Sequence, residues 1–353
     1  MADGTGTLER VSIDWQHPEP AHERASAVRA WHQPAQPKPV EPWLVVPAAV
    51  ERPPAVVSPV PVVPSRRTRF LERLRHALKC SAAAAPAIAD IIAANANALP
   101  DPLAMRQRLY GRGYVIPGDA AWLLSLVEPF GLGASSSMLD LAAGLGGPAR
   151  AISQAFHARV IGIERDYDRA RQGNAMSSAL GASSLVRIKA GDPETLELGT
   201  ARFDCALGRE ASYAVADKER FLRVVAQSLR ARGQIVLTDF VLDRGAGERP
   251  EFEAWHSKRT ERPSLWTAAQ YADCFKSVGY GLRRTEDISA LYRRQIIAAW
   301  VGYLRGGDIR GQSPAQIEAV LAEAESCFRT VAALESGALK YYRFEAIAHS
   351  SFW

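Results

Sequence analysis

Cysteine is scarce in this 353-residue chain, which contains only four: Cys80, Cys205, Cys274 and Cys327. They are widely spaced and no two of them form a CxxC pair, so the sequence predicts neither a disulfide framework nor a zinc site. We expect all four to be free thiols and expect no metal centre.

Long apolar runs are also missing. No stretch reaches the roughly 18 residues that a membrane-spanning helix needs. Residues 1–10 lack the basic start and apolar stretch of a secretory signal. The expected location is therefore cytoplasmic.

Excess charge is confined to one segment. The formal net charge is +5, and residues 65–80 hold six Arg and Lys residues against the single acid Glu72. The rest of the chain is formally neutral, and a neutral domain is a poor electrostatic trap for a polyanion. A nucleic-acid partner is therefore not expected.

Periodic hydrophobicity is absent from residues 1–64, which hold 12 of the 22 prolines. We expect this segment to be a disordered tail, because it cannot bury enough apolar surface to offset its ordering entropy. Residues 65–104 are predicted to be helical, first basic and amphipathic, then Ala-rich. The basic helix of residues 65–80 either docks on the main domain or contacts an anionic membrane or a protein partner. The oligomeric state is not predicted.

Strands and helices alternate in the main domain, residues 105–353. Buried strands are predicted at Met138–Ala142, Arg159–Ile163, Leu185–Lys189, Phe203–Leu207, Gln234–Phe240 and Tyr341–Ala348. Helices are predicted at Pro148–Phe156, Asp166–Leu180, Asp217–Arg230, Thr267–Val278 and from Ser313 to about Leu334. This alternation predicts an α/β fold with a mostly parallel sheet and helices on both faces. Ligands of such sheets bind at the carboxyl ends of the strands.

A glycine-rich turn follows the first predicted strand, in Met138-Leu-Asp-Leu-Ala-Ala-Gly-Leu-Gly-Gly-Pro-Ala-Arg150. Glycine is needed in such a turn because the backbone bends sharply and a ligand lies against it. Any Rossmann-like nucleotide site uses a related loop, so the glycines alone are weakly specific. The acid before them, Asp140, favours a ligand with a cationic amino acid group over a dinucleotide pyrophosphate.

Acidic residues also follow the next two predicted strands. Glu164 lies 20 residues after Gly144, where a carboxylate accepts hydrogen bonds from both ribose hydroxyls. Asp192 follows the third strand and is suited to the adenine amino group. Because three acids stand at three successive strand ends, the sequence predicts a site for S-adenosylmethionine.

The block from Met138 to Val241 resembles the class I S-adenosylmethionine-dependent methyltransferase superfamily. Within it, residues 105–350 are similar to phosphoethanolamine N-methyltransferases and related small-molecule methylases, through motifs such as Leu109–Gly118, Gly208-Arg-Glu210 and Leu237–Phe240. The resemblance implies a Rossmann-like sheet and methyl transfer to a small molecule.

The resemblance also implies roles for individual residues. Cofactor contacts are expected from Asp140, Ala142, Gly144, Gly146, Glu164, Arg165, Asp192, Pro193 and Arg209. Tyr114 corresponds to the aromatic residue of an N-terminal lid, and Glu210 to an acid that holds the methyl acceptor. His256 lies in the segment after the fifth strand, which lines the acceptor pocket of similar enzymes, and is the candidate base.

The acceptor side departs from the phosphoethanolamine pattern. Ala214 stands where that family has a histidine, Phe240 replaces a tyrosine, and Glu345 aligns with a phosphate-binding lysine. A carboxylate at Glu345 would repel a phosphate. Five aromatic residues either form a wall for a cationic or planar acceptor or belong to the ordinary core: Tyr213, Trp255, Trp266, Tyr271 and Tyr292.

Three functions remain in contention from the sequence. The leading one is methyl transfer to an amine, hydroxyl or carbon of a small molecule. The second is a protein that binds S-adenosylmethionine without turnover and acts as a partner module. The third, nucleic-acid methylation, is disfavoured because Asp204–Arg209 lacks the Asn/Asp-Pro-Pro-aromatic motif of amino-directed base methylases.

Overall fold

The computed structural model describes residues 102–243, 245–306 and 312–349. The predicted tail of residues 1–64 lies outside them, as does the predicted helical segment of residues 65–104 apart from its last three residues. Those three begin the first described helix. The cysteines within the described part, Cys205, Cys274 and Cys327, are buried free thiols, as predicted.

The described elements alternate along the chain. The helices are α1 Pro102–Tyr110, α2 Ala120–Val127, α3 Gly147–Phe156, α4 Tyr167–Ala179, α5 Lys218–Ser228, α6 Pro250–His256, α7 Ala268–Ser277, α8 Ser289–Gly306 and α9 Pro314–Ser336. The strands are β1 Ser137–Asp140, β2 Arg159–Glu164, β3 Val186–Ala190, β4 Phe203–Arg209, β5 Leu229–Val241, β6 Tyr280–Asp287 and β7 Lys340–Ala348. Within the described ranges, no helix combines the length and the low polarity needed to cross a membrane.

All seven strands form one sheet in the order β3-β2-β1-β4-β5-β7-β6. The pairs among β1 to β5 are parallel, whereas β7 runs antiparallel to both β5 and β6. The predicted α/β class and mostly parallel sheet are confirmed. Chain order reverses between β1 and β4, so a crevice opens at the carboxyl ends of these two strands.

Burial explains why the central strands read as continuous apolar runs. In β2, every residue from Val160 to Glu164 is buried, and in β4 every residue from Cys205 to Arg209 is buried. Strands that are covered on both faces lose the alternation of half-exposed strands. One core cluster joins Leu123 and Leu126 of α2 and Ile152 of α3 to Val160 and Leu207 of the sheet.

Side-chain caps set the starts of four helices that the sequence predicted. Asp166 and Asp217 accept hydrogen bonds from the first turns of α4 and α5. Thr267 and Ser313 each form a complete capping box, at the starts of α7 and α9. These caps are short-range interactions, so the sequence pattern located them to within a residue.

Two strands differ from the prediction, and the helices α1, α2, α6 and α8 were not predicted. β5 starts at Leu229, five residues before the predicted Gln234, because its pairing with β4 continues across a register shift. β6 was not predicted at all, since residues 283–287 of this edge strand are exposed and highly charged. An edge strand with charged side chains shows no apolar alternation, and charge on such an edge also discourages pairing with other chains.

Gly173 in α4 lets that helix approach the turn that follows β1. A Cβ at this position would lie 2.4 Å from Ile188 Cδ1 and 3.1 Å from the carbonyl carbon of Leu145. We expect Gly173→Ala to lower the free energy of unfolding by about 1–3 kcal/mol through overpacking. Gly302→Ala in α8 is the matched control, because a Cβ there meets no atom within 4 Å.

The control is expected to raise the free energy of unfolding by about 0.5–1 kcal/mol, because alanine has the better helix propensity. Urea denaturation of both variants measures the two effects. Equal stabilisation by both substitutions would contradict the close approach of α4 to the loop.

Candidate active site

A cavity of about 1080 Å³, partly open to solvent, lies at the carboxyl ends of the central strands. One part of its wall comes from the glycine-rich turn and the end of β2, including Gly144 and Glu164. Another part comes from the loop after β4, including Glu210, and from the two helices α8 and α9. A smaller cavity beside it is lined by Asp140 and Ala142. Two predicted groups of residues, one for a cofactor and one for an acceptor, therefore meet here.

The turn between β1 and α3 requires glycine at two positions. Gly144 has φ +54° and Gly146 has φ +74°, a left-handed conformation that other residues adopt at a cost. A Cβ at Gly144 would come within 2.8 Å of Val115 Cγ2, and one at Gly146 within 2.6 Å of Ile188 Cδ1. The predicted glycine bend is therefore present, and it is packed tightly on both sides.

Asp140 ends β1 and is only 3% exposed. Its Oδ1 accepts a hydrogen bond from the amide of Ala142 at 3.3 Å, whereas Oδ2 has no partner among the described residues. Burial raises the pKa of this carboxyl to about 6, although Arg209 counteracts the rise. A buried carboxylate oxygen without a partner fits the cationic amino group of the predicted cofactor.

Glu164 ends β2 and is already well hydrogen-bonded. Its Oε1 accepts from the amide of Asp166 at 2.9 Å and pairs with Arg169, whose Nη2 lies at 2.8 Å. Its Oε2 accepts only from the amide of Gly144, at 2.9 Å. A carboxylate oxygen has more than one acceptor site. Oε2 can therefore still accept from a ribose hydroxyl.

The loop after β3 contributes unevenly to the cavity. Pro193 and Arg165 line it. Asp192 does not, because its Oδ1 caps the amide of Glu194 at 3.1 Å and faces Arg165 Nε at 3.8 Å. The predicted adenine contact of Asp192 therefore stays a prediction, with its two neighbours closer to the cavity.

Residues 111–118, which contain the predicted lid residue Tyr114, lie against the glycine turn. The amide of Gly147 donates to the carbonyl of Gly113 at 3.0 Å. Tyr114 lines the smaller cavity together with Asp140, and it is absent from the wall beside Glu210. Tyr114 therefore lies near Asp140, whereas Val115, Ile116 and Pro117 line the larger cavity.

Arg209, the last residue of β4, connects residues 111–118 to the sheet. Its guanidinium lies over the Trp122 ring, 4.9 Å from the centroid, and its Nη2 donates to the carbonyl of Pro117. Arg209 is 3% exposed, and its Nε and Nη1 have no partner among the described residues. These buried donors lie at the boundary between the two cavities, consistent with the predicted position of Arg209 beside the cofactor.

Glu210 follows β4 in a left-handed conformation, with φ +55°. Its amide donates to the carbonyl of Thr238 at 2.8 Å, and Tyr292 Oη donates to Oε1 at 2.6 Å. Burial raises the pKa of this carboxyl, while the Tyr292 hydrogen bond and nearby arginines lower it. The predicted acceptor-side acid therefore faces the cavity.

Arg259 supplies a positive charge opposite this acid. Its guanidinium lies 4.7 Å from the Trp255 ring centroid and 5.6 Å from that of Phe240, and Nη2 donates to Thr330 Oγ1 at 3.2 Å. Arg259 lines the cavity, and no described carboxylate forms an ion pair with it. Arg259 was not among the predicted site residues, because an arginine in a loop is usually solvated.

The predicted aromatic wall is only partly present. Tyr213 and Tyr292 line the cavity. Trp255 lies behind Arg259, Trp266 lies 5.6 Å from Lys218 Nζ, and Tyr271 is fully buried with its hydroxyl 2.8 Å from Ser212 Oγ. Trp255 and Tyr271 are therefore core residues, and Trp266 is a half-buried residue outside the cavity wall.

Two further expectations need correction. His256 does not line the cavity: its ring stacks on Phe252 at 5.4 Å, because α6 ends there and the chain turns Arg259 inward instead. Glu345 in β7 does not line the cavity either and pairs with Arg284 and Arg343. Its charge therefore gives no argument against an anionic acceptor.

One wall of the cavity was missed by sequence reasoning. On α9, polar and small side chains face the cavity at helical spacing: Glu323, Ser326, Cys327 and Thr330. Arg106 of α1 pairs with Glu323 at 3.1 Å, and Tyr110 Oη lies 3.3 Å from Cys327 Sγ. A polar stripe on the buried face of a long amphipathic helix was the available signal.

Comparison with known proteins identifies the type of domain. Residues 117–284 match the family described as "Methyltransferase domain". Phosphoethanolamine N-methyltransferase 1 of Triticum aestivum is 26% identical over 153 residues, which are 43% of this chain and 30% of that protein. Sarcosine/dimethylglycine N-methyltransferase of Halorhodospira halochloris is 30% identical over 111 residues, 31% of this chain and 39% of that protein. The chain thus spans less than half the length of either relative.

A solved structure shares the fold. Phosphoethanolamine N-methyltransferase 2 of Haemonchus contortus, in complex with S-adenosyl-L-methionine, superimposes with a TM-score of 0.62 at 16% identity. The match covers 69% of this chain and 55% of that one. The Rossmann-like methyltransferase sheet and the superfamily resemblance predicted from the sequence are both confirmed.

The raised pKa of Asp140 makes a prediction about stability. An acid whose pKa is higher in the folded than in the unfolded state binds protons more tightly when folded, so stability falls as pH rises from about 4 to 6. We expect Asp140→Asn, which removes this charge, to raise the free energy of unfolding at pH 8 by up to about 3 kcal/mol.

The gain should be much smaller near pH 4, because Asp140 is then protonated in the folded state and partly protonated in the unfolded state. Urea denaturation of ligand-free protein at the two pH values measures it. Asp204→Asn, at a partly exposed carboxylate paired with Arg230, is the control and should give no such gain at pH 8. A pH-independent effect of Asp140→Asn would rule out the buried charge as its cause.

Proposed function

We propose that this chain transfers a methyl group from S-adenosylmethionine to a small-molecule acceptor. The proposal is supported by the match of residues 117–284 to the family described as "Methyltransferase domain" and by the fold shared with a methyltransferase solved with S-adenosyl-L-methionine. The observation that carries the proposal is the cavity that joins the glycine turn and Glu164 to Glu210 and Arg259. A donor at the turn and an acceptor at Glu210 would share one partly enclosed space.

The cofactor supplies a methyl group already activated on a sulfonium, so the protein has mainly to align the acceptor with it. We assign Asp140 Oδ2 to the amino group and Glu164 Oε2 to a ribose hydroxyl, because each oxygen retains acceptor capacity. Arg165 and Pro193, with Asp192 beside them, are assigned to the nucleobase end. Gly144 and Gly146 leave the backbone open to the ligand.

We further propose that the acceptor is a small amine that carries an anionic group. Glu210 supplies a carboxylate for the amine, and Arg259 supplies a guanidinium that is held against two aromatic rings and forms no ion pair with a described carboxylate. The named substrates of the two relatives, phosphoethanolamine and sarcosine or dimethylglycine, have this combination of charges. Arginine is well suited to a phosphate or carboxylate because its donors form a planar fork.

Incubation of the full chain with radiolabelled S-adenosylmethionine and a panel of acceptors tests the proposed activity. The panel contains phosphoethanolamine, sarcosine, dimethylglycine, uncharged amines, phenols and lipids. We expect label to move to an amine with an anionic group. Calorimetry should show that Asp140→Ala weakens cofactor binding about ten-fold or more, because a buried charge-assisted contact is lost.

Glu251→Ala, in α6 and outside the cavity lining, is the control for the calorimetry. Binding of cofactor without transfer to any acceptor would favour the alternative, a binding module without turnover. Absence of binding would overturn the proposed function as a whole.

Arg259→Met tests the acceptor class. Methionine keeps an apolar side chain against Trp255 but removes the charge, so KM for an anionic amine should rise about ten-fold or more while KM for an uncharged amine changes little. Arg262→Met, an exposed arginine in the same segment, is the control. An equal rise for both classes of amine would show that Arg259 acts through packing and not through charge.

A further inference from the structure

Glu210 has a hydrogen-bond partner from a distant part of the chain. Tyr292 Oη donates to Glu210 Oε1 at 2.6 Å across a separation of 82 residues. Tyr292 belongs to α8, which lies between β6 and β7 in the chain and packs beside α9 over the cavity. Glu210, which follows β4, is thus bonded to α8, one of the two helices α8 and α9 that are inserted between β6 and β7.

The ring of Tyr292 is held rigidly. It is 4% exposed and stacks on Tyr341, with ring centroids 4.0 Å apart and an interplanar angle of 29°. The centroid of a second ring, that of Phe240, lies 5.7 Å from the Tyr292 centroid, and the planes of the two rings are at 85°. Burial and the charge of Glu210 hold the pKa of Tyr292 well above its usual range. The phenol therefore stays protonated and acts toward Glu210 as a donor.

Glu210 depends on such a donor. Its backbone is fixed by the left-handed φ and by the hydrogen bond to Thr238, so the side chain starts from one defined direction. Burial opposes ionisation of the carboxyl, and a hydrogen bond to the charged form offsets that cost. Ala214, which lines the same cavity, has no side-chain donor. Oε2 has no hydrogen-bond partner among the described residues.

We propose that Tyr292 is a positioning residue that fixes Glu210 Oε1 and so presents Oε2, as a carboxylate oxygen, to the acceptor. That Oε2 meets a methyl acceptor rests on the proposed function, whereas the hydrogen bond between Tyr292 and Glu210 does not. In this arrangement the inserted helix α8 sets both the direction and the charge of the acid. A role of Tyr292 in packing alone is the competing explanation.

Tyr292→Phe separates the two explanations, because it keeps the stacked ring and removes only the hydroxyl. Tyr341→Phe is the matched control. It removes a buried hydroxyl from the other ring of the same stack, one that lies 3.0 Å from Thr238 Oγ1 and forms no hydrogen bond with Glu210. Thermal unfolding of both variants reports any common loss of packing.

Carbon-13 NMR of protein labelled at glutamate side-chain carboxyls measures the ionisation of Glu210 without any assay of activity. The resonance is assigned by its loss in Glu210→Gln. We expect its titration to move to higher pH in Tyr292→Phe and to stay in place in Tyr341→Phe. An unchanged titration in Tyr292→Phe would overturn the proposal even if the enzyme is active.

Kinetics provide the second measurement, with the acceptor identified by the panel. In Tyr292→Phe, KM for the amine should rise about ten-fold, the effect of losing a hydrogen bond to a charged group, while cofactor affinity is unchanged. The acidic limb of the profile of kcat/KM against pH should move to higher pH, by the same amount as the NMR titration. A fall in kcat alone, with KM and the pH profile unchanged, would contradict a positioning role.

The two proposals fail separately. If no acceptor is methylated by the parent protein, the proposed function fails, and the NMR titration still decides whether Tyr292 controls Glu210. If methylation occurs and neither the titration nor the pH profile responds to Tyr292→Phe, only the role of Tyr292 is overturned.

Discussion

Carboxylates buried at one edge of a parallel sheet set the terms for the rest of this structure. Asp140, Glu164 and Glu210 follow or end neighbouring strands. Asp140 and Glu164 are buried, and Glu210 is half-buried at the wall of the cavity. A charge in low-polarity surroundings is costly unless hydrogen bonds or opposite charges compensate it. The three acids are compensated in different ways, and those differences separate the proposed cofactor end of the cavity from the proposed acceptor end.

The proposed cofactor end is built mainly from backbone groups. The amide of Ala142 donates to Asp140, and the amide of Gly144 donates to Glu164. The amide of Gly147 donates to the backbone carbonyl of Gly113. Such a site needs few particular side chains, because the turn itself supplies the donors. It does need glycine at positions where φ is positive and space is short.

The proposed acceptor end is built from side chains that are far apart in sequence. Glu210 comes from the sheet, Tyr292 from α8, Arg259 from the segment after α6, and Thr330 from α9. Aromatic rings pack against the Arg259 guanidinium and against the Tyr292 ring. Because the inserted helices carry most of this wall, changes in them can alter the acceptor without disturbing the cofactor turn.

The sequence by itself determined the α/β class, the parallel strands, the capped helices and the glycine turn with its neighbouring acids. These features depend on local periodicity and on residues within about 20 positions of one another. Only the tertiary structure decided that Tyr292 bonds to Glu210, that Arg259 reaches the cavity and His256 does not, and that Glu345 pairs with Arg284. These contacts join segments up to 82 residues apart, and their distances depend on how helices pack on the sheet, which hydrophobic periodicity does not specify.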